Sequence, residues 1–440
     1  MPTVPIETPT TPEVDAAEGA GSPSLNYVNK TPKVLLVSTN GWPAPARLGM
    51  ALSGAGFLVE AVCPPGTILC RTKAVGNAYT YRGLSPVKSV SEAIQKAQPD
   101  LVVPTDDLAT THLHEVHRAA EGWGRVGEKI GALIESSLGA KENFATAASR
   151  VALLRVAREE GIRVPEFESI EDANGLAEWI HHAGVPTVLK ADGTSGGDGV
   201  RIVRTAHDAK RAFQALQAPP LFARAAKRAI FDRDLTLLLP SVRRRKHSVI
   251  AQSFVEGTEA TSLFACWNGS VIGELHFEVV SKQDSGGPST VLRLVEHEEM
   301  KAAARKIAKR LKLSGFYGLD FMLDKATRNA YLLELNPRTT QVGHLTLGPG
   351  RDLPAALFAA IRGSDCQPAA PLTEKDLIVL FPQEWTRDPE SPFLDSGYHD
   401  VPWDAPDFVD FYAKQHGKRH DQAFRKKWIE PRARKQTPKQ

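Results

Sequence analysis

At 440 residues the chain can hold two to four domains of roughly 150 residues each, and an apolar share of 42% with a charged share of 24% is that of a soluble globular protein. A net charge of +3 demands no polyanionic partner, and four cysteines without a CxxC pair (Cys63, Cys70, Cys266 and Cys366) exclude a zinc knuckle and a disulfide scaffold and fit a reducing cytoplasm. No apolar run approaches a membrane helix, and the first residues carry neither the basic nor the apolar part of a signal peptide, so no export and no membrane span are expected.

Residues 1–32, rich in Pro, Thr, Ser and Gly, cannot repay the entropy of ordering and are expected as a disordered tail. Residues 33–142 read as a small α/β domain. An apolar run from Val34 to Val37 is followed by a helix-compatible segment and a second run, Val59 to Cys63. A further helix, SVSEAIQKAQ, leads into PDLVVPTDD, an apolar strand ending in polar residues, the usual place for a ligand crevice in an open parallel sheet. From residue 143, FATAASRVALLRVAREEGIRVP has helical spacing and stops at Gly161. Three hairpins are expected next. The first has strands near 187–192 and 200–205; the second turns at Asn268-Gly269, the strongest short hairpin signal; the third spans FYGLDFMLDKATRNAYLLELNPR. An amphipathic helix near 297–312 separates the last two, and the second unit closes near residue 362. Residues 363–440 read as an irregular Pro- and aromatic-rich extension with a basic tail, in which the last 27 residues hold ten Lys or Arg against two acids.

Within the first hairpin, VLKADGTSGGDGVRIV sets Lys190 one strand before a glycine-rich tip. A P-loop places its lysine after the glycines, and a dinucleotide fingerprint enters a helix, whereas this loop enters another strand. What remains is a hairpin tip offering backbone N–H groups to anionic oxygens beside a lysine charge. In the third hairpin a loop over 325–329 sets Asp320 opposite Glu334, with Asn336 on the same face together with Met322 and Leu332. Opposed carboxylates are tolerated when a cation lies between them, and hard oxygen ligands suit Mg²⁺.

The lysine strand, glycine loop and Asp…Glu-x-Asn, in that order, resemble the ATP-grasp superfamily over roughly residues 143–362. The resemblance implies a fold of α/β and α+β type: a pre-ATP-grasp α/β domain (33–142), then two antiparallel sheets sandwiching ATP. It also implies ATP and two Mg²⁺ ions as cofactors, with Mn²⁺ as a substitute. Lys190 and Arg150 then resemble the phosphate contacts, and Ser195, Gly196 and Gly197 the mobile loop. Gln252 and the backbone of Ser253 and Val255 resemble the adenine hinge, and Glu259 the ribose contact. Asp320, Glu334 and Asn336 resemble the magnesium ligands, and Arg338 of the NPR motif the arginine that the carboxylase and carbamoyl phosphate synthetase branches place beside the reacting oxyanion.

The implied activity is a ligase that activates a carboxylate as an acyl phosphate and joins it to an amine, releasing ADP and phosphate. Two departures narrow it. D-Alanine ligases carry an arginine two residues before the magnesium aspartate, where this chain has Gly318; biotin carboxylases follow their arginine with a glutamate base, where this chain has Gly343. A carboxyphosphate or carbamoyl phosphate type of enzyme and a non-catalytic ATP-binding protein stay open as alternatives. Lys282 and Arg293, in SKQDSGGPSTVLRL, are candidates to bind a carboxylate on the acceptor side. Expected partners are a small carboxylate and an amine, with no membrane and a homodimer allowed. HLHEVH lacks the HExxH zinc spacing, and the basic stretch Arg243–His247 comes with no RNA- or DNA-binding motif, so nucleic acid is not expected.

Overall fold

Three sheets organise the described residues of this computed structural model, which are 30–191, 199–217, 248–367 and 370–415. The first is parallel, with strands β1 (Lys33–Val37), β2 (Leu58–Cys63), β3 (Val75–Thr80) and β4 (Leu101–Pro104) in the order β3-β2-β1-β4. Its unbroken apolar runs are buried on both faces, as a sheet covered on two sides requires. Leu35 and Val37 pack with helices α2 (Pro86–Ala97), α3 (Asp107–Ala120) and α4 (Gly124–Leu138); Val34 and Leu36 face the other way, toward α1 (Ala44–Gly54). The strand, helix, strand expectation holds, and the carboxyl ends of β1 and β4 bring Thr39, Asp106 and Asp107 together, with Asp106 capping α3.

Helices α5 (Phe144–Ala148) and α6 (Arg150–Glu159) lead to the second sheet. Its strands β5 (Phe167–Ile170), β6 (Thr187–Ala191), β7 (Val200–Val203) and β8 (Val249–Ser253) pair antiparallel in the order β5-β8-β6-β7. Leu189, Ala191, Val249 and Ala251 pack beneath α7 (Ala173–Ala183) and α8 (Ala206–Gln217) against Trp179 and Phe213. By the period of two, Val188, Lys190, Ile250 and Gln252 occupy the opposite face.

The third sheet has seven strands: β9 (Gly257–Trp267), β10 (Ser270–Lys282), β11 (Ser289–Leu294), β12 (Gly315–Asp324), β13 (Ala330–Asn336), β14 (Leu377–Leu380) and β15 (Tyr398–Asp400), in the order β13-β12-β9-β10-β11-β14-β15. Asn268 and Gly269, at φ 50° and 81°, make the two-residue turn between β9 and β10. One face, with Ala260, Phe264, Phe321 and Leu332, packs on α9 (Glu298–Leu311). The opposite face, through Leu263, Leu275 and Phe277, shares a core with Val34, Leu36 and Leu48 of the first domain and with Leu357 of α10 (Leu353–Arg362).

Two features differ from the sequence reading. Asp320 does pair with Glu334, but Leu323 pairs with Ala330, one step off the simple register, and a bulge between Leu332 and Glu334 restores the alignment. Leu332 therefore faces the helix core rather than the acidic face. Within the segment expected as irregular, β14 and β15 extend the large sheet, and α11 (Gln383–Arg387), α12 (Phe393–Ser396) and α13 (Pro406–Gln415) cover it with Trp385, Leu394 and Phe408. Strands of four and three residues among prolines leave too few positions for a period of two to show. Among the described residues no helix is long and apolar enough to cross a membrane.

A buried ion cluster joins the N-terminal domain to this last segment. Arg47 of α1 donates to Asp400 Oδ1 at 2.7 Å and to the Asp400 carbonyl at 2.8 Å, and His344 Nε2 lies 2.7 Å from Asp400 Oδ2. Burial and Arg47 hold His344 below the usual imidazole range. Burial opposes the charge on Asp400, but Arg47 and His344 outweigh it and keep the carboxyl below its usual range. Both groups thus bind protons more weakly in the folded than in the unfolded chain. Their contribution is complete near pH 7 and is lost on acidification, first below about 6.5 through His344, then from about 4 downward through Asp400. Asp400→Asn leaves Arg47 buried without its counter-charge, and urea unfolding at pH 7 should show a loss of about 3–5 kcal/mol. An unchanged midpoint would mean that the cluster does not tie these elements together.

Candidate active site

Lys190 enters the site from the small sheet, with only 7% of its surface exposed. Glu334 and Asp320 enter from the large sheet, directly across from one another on β13 and β12. Arg150, the first residue of α6, links the two sheets: Nε and Nη2 donate to Glu334 Oε2 at 3.0 and 2.5 Å, and Nη1 donates to the Ala191 carbonyl at 3.4 Å. Ser149 caps α6 by accepting from Ala152 N at 3.3 Å, which fixes where the helix starts and so where Arg150 projects.

The charges in this cleft are tuned against each other. Burial lowers the Lys190 ammonium to about 8, against the pull of Glu334. Burial and the neighbouring Glu334 push Asp320 up to about 6. Burial also works against Glu334, but Arg150 and Lys190 outweigh it and keep that carboxyl below its usual range. The donor set fits a hard divalent cation: two half-buried carboxylates face each other, one of them held from ionising freely by the other, and a cation between them would relieve that repulsion. Asp320 accepts from Thr261 Oγ1 at 2.8 Å and from Asn336 Nδ2 at 2.9 Å. Asn336 Oδ1 accepts from Arg338 at 3.1 Å, so Asn336 orients its neighbours and would bring its oxygen to a cation only by releasing Arg338.

Gln252 lies opposite Val188 on the face of the small sheet that carries Lys190, is 1% exposed, and its Nε2 has no hydrogen-bond partner among the described residues. A buried donor without an acceptor is costly, and the nitrogen of a heteroaromatic base would satisfy it. The Ser253 N–H is already committed to the Glu166 carbonyl at 2.9 Å, so it is not free to read a base. Val255 lies half-buried in the segment joining β8 to β9. Ser195, Gly196 and Gly197 lie outside the described residues.

Glu259 is placed on β9 beside Met322 and accepts from Lys282 at 2.7 Å. Lys282 is thereby committed to Glu259 and not to an acceptor pocket. Arg293 pairs with Glu278 across β10 and β11 on the helix-covered face and ion-pairs Asp376 at 3.6 Å, so it points away from the cleft. The histidines of HLHEVH have structural partners: His112 meets Tyr81 and Glu115, His117 meets Glu135, and His114 and His117 both pack on Phe144.

Arg338 does not continue β13. Its N–H bonds to the Asn336 carbonyl at 2.8 Å, a tight turn at Pro337 that carries it toward the first domain. There Asp107 accepts from Nε and Nη2 at 3.0 and 3.3 Å. Burial works against the Arg338 charge, but Asp107 outweighs it and raises the guanidinium above its usual range. Asp107 and Thr261 are site residues that the sequence reading missed. The signal for Asp107 was present in PDLVVPTDD, the strand expected to end at a crevice; for Thr261 there was only its register against Asp320.

Residues 145–347 match the family model described as carbamoyl-phosphate synthase L chain, ATP binding domain. This segment is an ATP-grasp domain. Solved structures share the architecture. The Staphylococcus aureus N5-carboxyaminoimidazole synthetase complexed with ADP superposes with a TM-score of 0.56 at 13% identity, covering 81% of this chain and 83% of that one. An Aspergillus clavatus N5-carboxyaminoimidazole synthase, in complex with ADP and its aminoimidazole ribonucleotide, gives 0.55 at 17%, over 77% and 78%. The biotin carboxylase domain of Hydrogenobacter thermophilus 2-oxoglutarate carboxylase, with MgADP and bicarbonate, gives 0.54 at 14%, over 77% and 71%. No curated protein matches the chain in sequence.

A phosphate contact made by Lys190 predicts a pH dependence of ATP affinity. Lys190 is charged below about 8, so ATP affinity should hold through neutral pH and weaken above it by up to about tenfold per unit. Calorimetric titrations at pH 7, 8 and 9 should show this slope in the wild type. In Lys190→Ala, ATP affinity should be lower and flat with pH while adenosine affinity stays the same; a slope that persists would place the titrating group elsewhere.

Proposed function

We propose that the protein is an ATP-dependent, ADP-forming ligase that activates a carboxylate as an acyl phosphate and joins it to an amine. The observation that carries this reading is Arg150, which touches the Lys190 strand and the Glu334 carboxylate at once and so gathers two cations and an acid pair into one cleft. In this reading Lys190, Arg150 and the loop with Ser195, Gly196 and Gly197 bind the phosphates. Gln252, with the Ser253 carbonyl and Val255, holds adenine, and Glu259 takes the ribose. Asp320 and Glu334, aided by Asn336, would hold Mg²⁺, which supplies charge neutralisation across the phosphates.

A carboxylate is too electron-rich for an amine to attack. One of its oxygens therefore attacks the γ-phosphorus of ATP, an O–P bond forms as the bond from Pγ to the β–γ bridging oxygen breaks, and ADP leaves. Lys190 and Arg150 hold the phosphate oxygens in line and offset their charge. The amine nitrogen then attacks the acyl carbon and loses a proton, and phosphate departs. In this reading Arg338, whose charge acts on Asp320, stabilises the tetrahedral oxyanion.

The likeness to carboxylating enzymes brings bicarbonate forward as a second acid. Two glycines count against copying the established branches. A Cβ at Gly343 would lie 2.5 Å from Thr339 Oγ1 and 3.3 Å from Leu263 Cδ2, which leaves no room for a glutamate base. One at Gly318 would lie 2.7 Å from Thr340 Cγ2, where a D-alanine ligase would need an arginine. The deciding assay is ADP release across a panel of acids, bicarbonate included, with amines. Hydroxylamine is added to trap any acyl phosphate as a hydroxamate.

Two variants test the assigned roles. Glu334→Gln should abolish ADP release with the thermal midpoint within a few degrees of wild type, and undiminished turnover would remove the acid pair from the reaction. Arg338→Lys should keep ATP affinity and lower acid-dependent ADP release on the order of a hundredfold, the value of one preorganised oxyanion donor. Weakened ATP binding with normal turnover at saturating nucleotide would instead move Arg338 to the nucleotide side.

A further inference from the structure

Arg338 is held by four hydrogen bonds to three residues. A guanidinium has five N–H donors. Nε and one N–H of Nη2 go to the two Asp107 oxygens at 3.0 and 3.3 Å, the second N–H of Nη2 to Asn336 Oδ1 at 3.1 Å, and one N–H of Nη1 to the Thr339 carbonyl at 3.1 Å. Among the described residues one N–H, on Nη1, is left without a partner. The loop that carries Arg338 is docked on the same domain: Thr110 Oγ1 donates to the Pro337 carbonyl at 2.8 Å and Thr339 N to the Pro104 carbonyl at 3.4 Å. Asp107 and Thr110 both belong to α3, and Pro104 ends β4.

We infer that Asp107 is a positioning residue of the α/β domain that fixes the Arg338 guanidinium, so that it presents a charge and a single N–H to the reacting group rather than a two-pronged clamp. The inference rests on the ligase reading for its chemistry, but the anchoring itself does not. Asp107 is suited to this and replaceable without loss of the fold. Its side chain is 40% exposed, and the cap of α3 is made by Asp106, not by Asp107. With Asp107 neutralised, the anions left to attract Arg338 are Asp320 and Asp106. The guanidinium would then drift onto a carboxylate that the proposed reaction needs for its metal.

The test reads the arginine directly. In ¹⁵N-labelled protein the Arg338 Nε–H signal, assigned by its disappearance in Arg338→Lys, should be sharp and protected from solvent in the wild type. It should broaden or vanish in Asp107→Ala and Asp107→Asn and recover at least partly in Asp107→Glu. MgATP affinity should stay within twofold in all three variants. With an acid and amine pair found active in the panel, kcat should fall tenfold or more in Asp107→Asn at unchanged KM for ATP, with partial rescue in Asp107→Glu. A signal indifferent to Asp107→Ala overturns the anchor. Unchanged or faster turnover in Asp107→Asn, with a lower KM for the acid, would show that Asp107 competes for Arg338 instead of positioning it. A panel without turnover would defeat the ligase reading while the Nε–H signal still decides the anchor.

Discussion

Glu334 and Asp320 face each other in a half-buried cleft, and the cations that flank Glu334 favour its charge over that of its neighbour. Two carboxylates paired across neighbouring strands repel, and burial raises the cost of both charges. The fold resolves the conflict unequally: Arg150 and Lys190 keep Glu334 charged, while Asp320 is pushed up to about 6. Because Arg150 also reaches the Ala191 carbonyl, the side chain that favours the charge on Glu334 bridges two sheets from different parts of the chain.

The α/β domain is part of this arrangement. Its first strand shares a core with the large sheet through Val34, Leu36, Leu263 and Phe277, and its carboxyl edge carries the carboxylate that holds Arg338. The functional cleft is therefore bounded by all three sheets. An open parallel sheet offers its strand ends to ligands; here one such end instead grips a side chain belonging to the neighbouring domain.

Legibility in the sequence followed the range of the interaction. The Asn268-Gly269 hairpin was readable because both residues tolerate positive φ between two apolar runs, and the first sheet because its central strands β1 and β4 are unbroken apolar runs. Lys190 and the Asp320–Glu334 pair were readable because a lysine on an apolar strand and two acids on adjoining strands are out of place without a partner. The bulge at Leu333 was not, since no residue there demands it, and the pairing of the acids came out right although the register toward the turn did not. Asp107 stands 231 positions from Arg338, and no local pattern reports a contact at that separation. The strands β14 and β15 were too short and too rich in neighbouring proline to show alternation.

The cluster of Arg47, Asp400 and His344 bears on how the molecule can assemble. Arg47 and Asp400 are separated by 353 positions, so the first domain cannot acquire its final neighbour until nearly the whole described chain is available. Contacts of such sequence separation raise the contact order and slow the search for the native topology. During synthesis the parallel sheet would form early and wait with a guanidinium seated in a half-built core. The seven-stranded sheet gains its outermost strand, β15, in the same event that neutralises that charge. The last strand of the described chain thus supplies the counter-ion for one of its first helices.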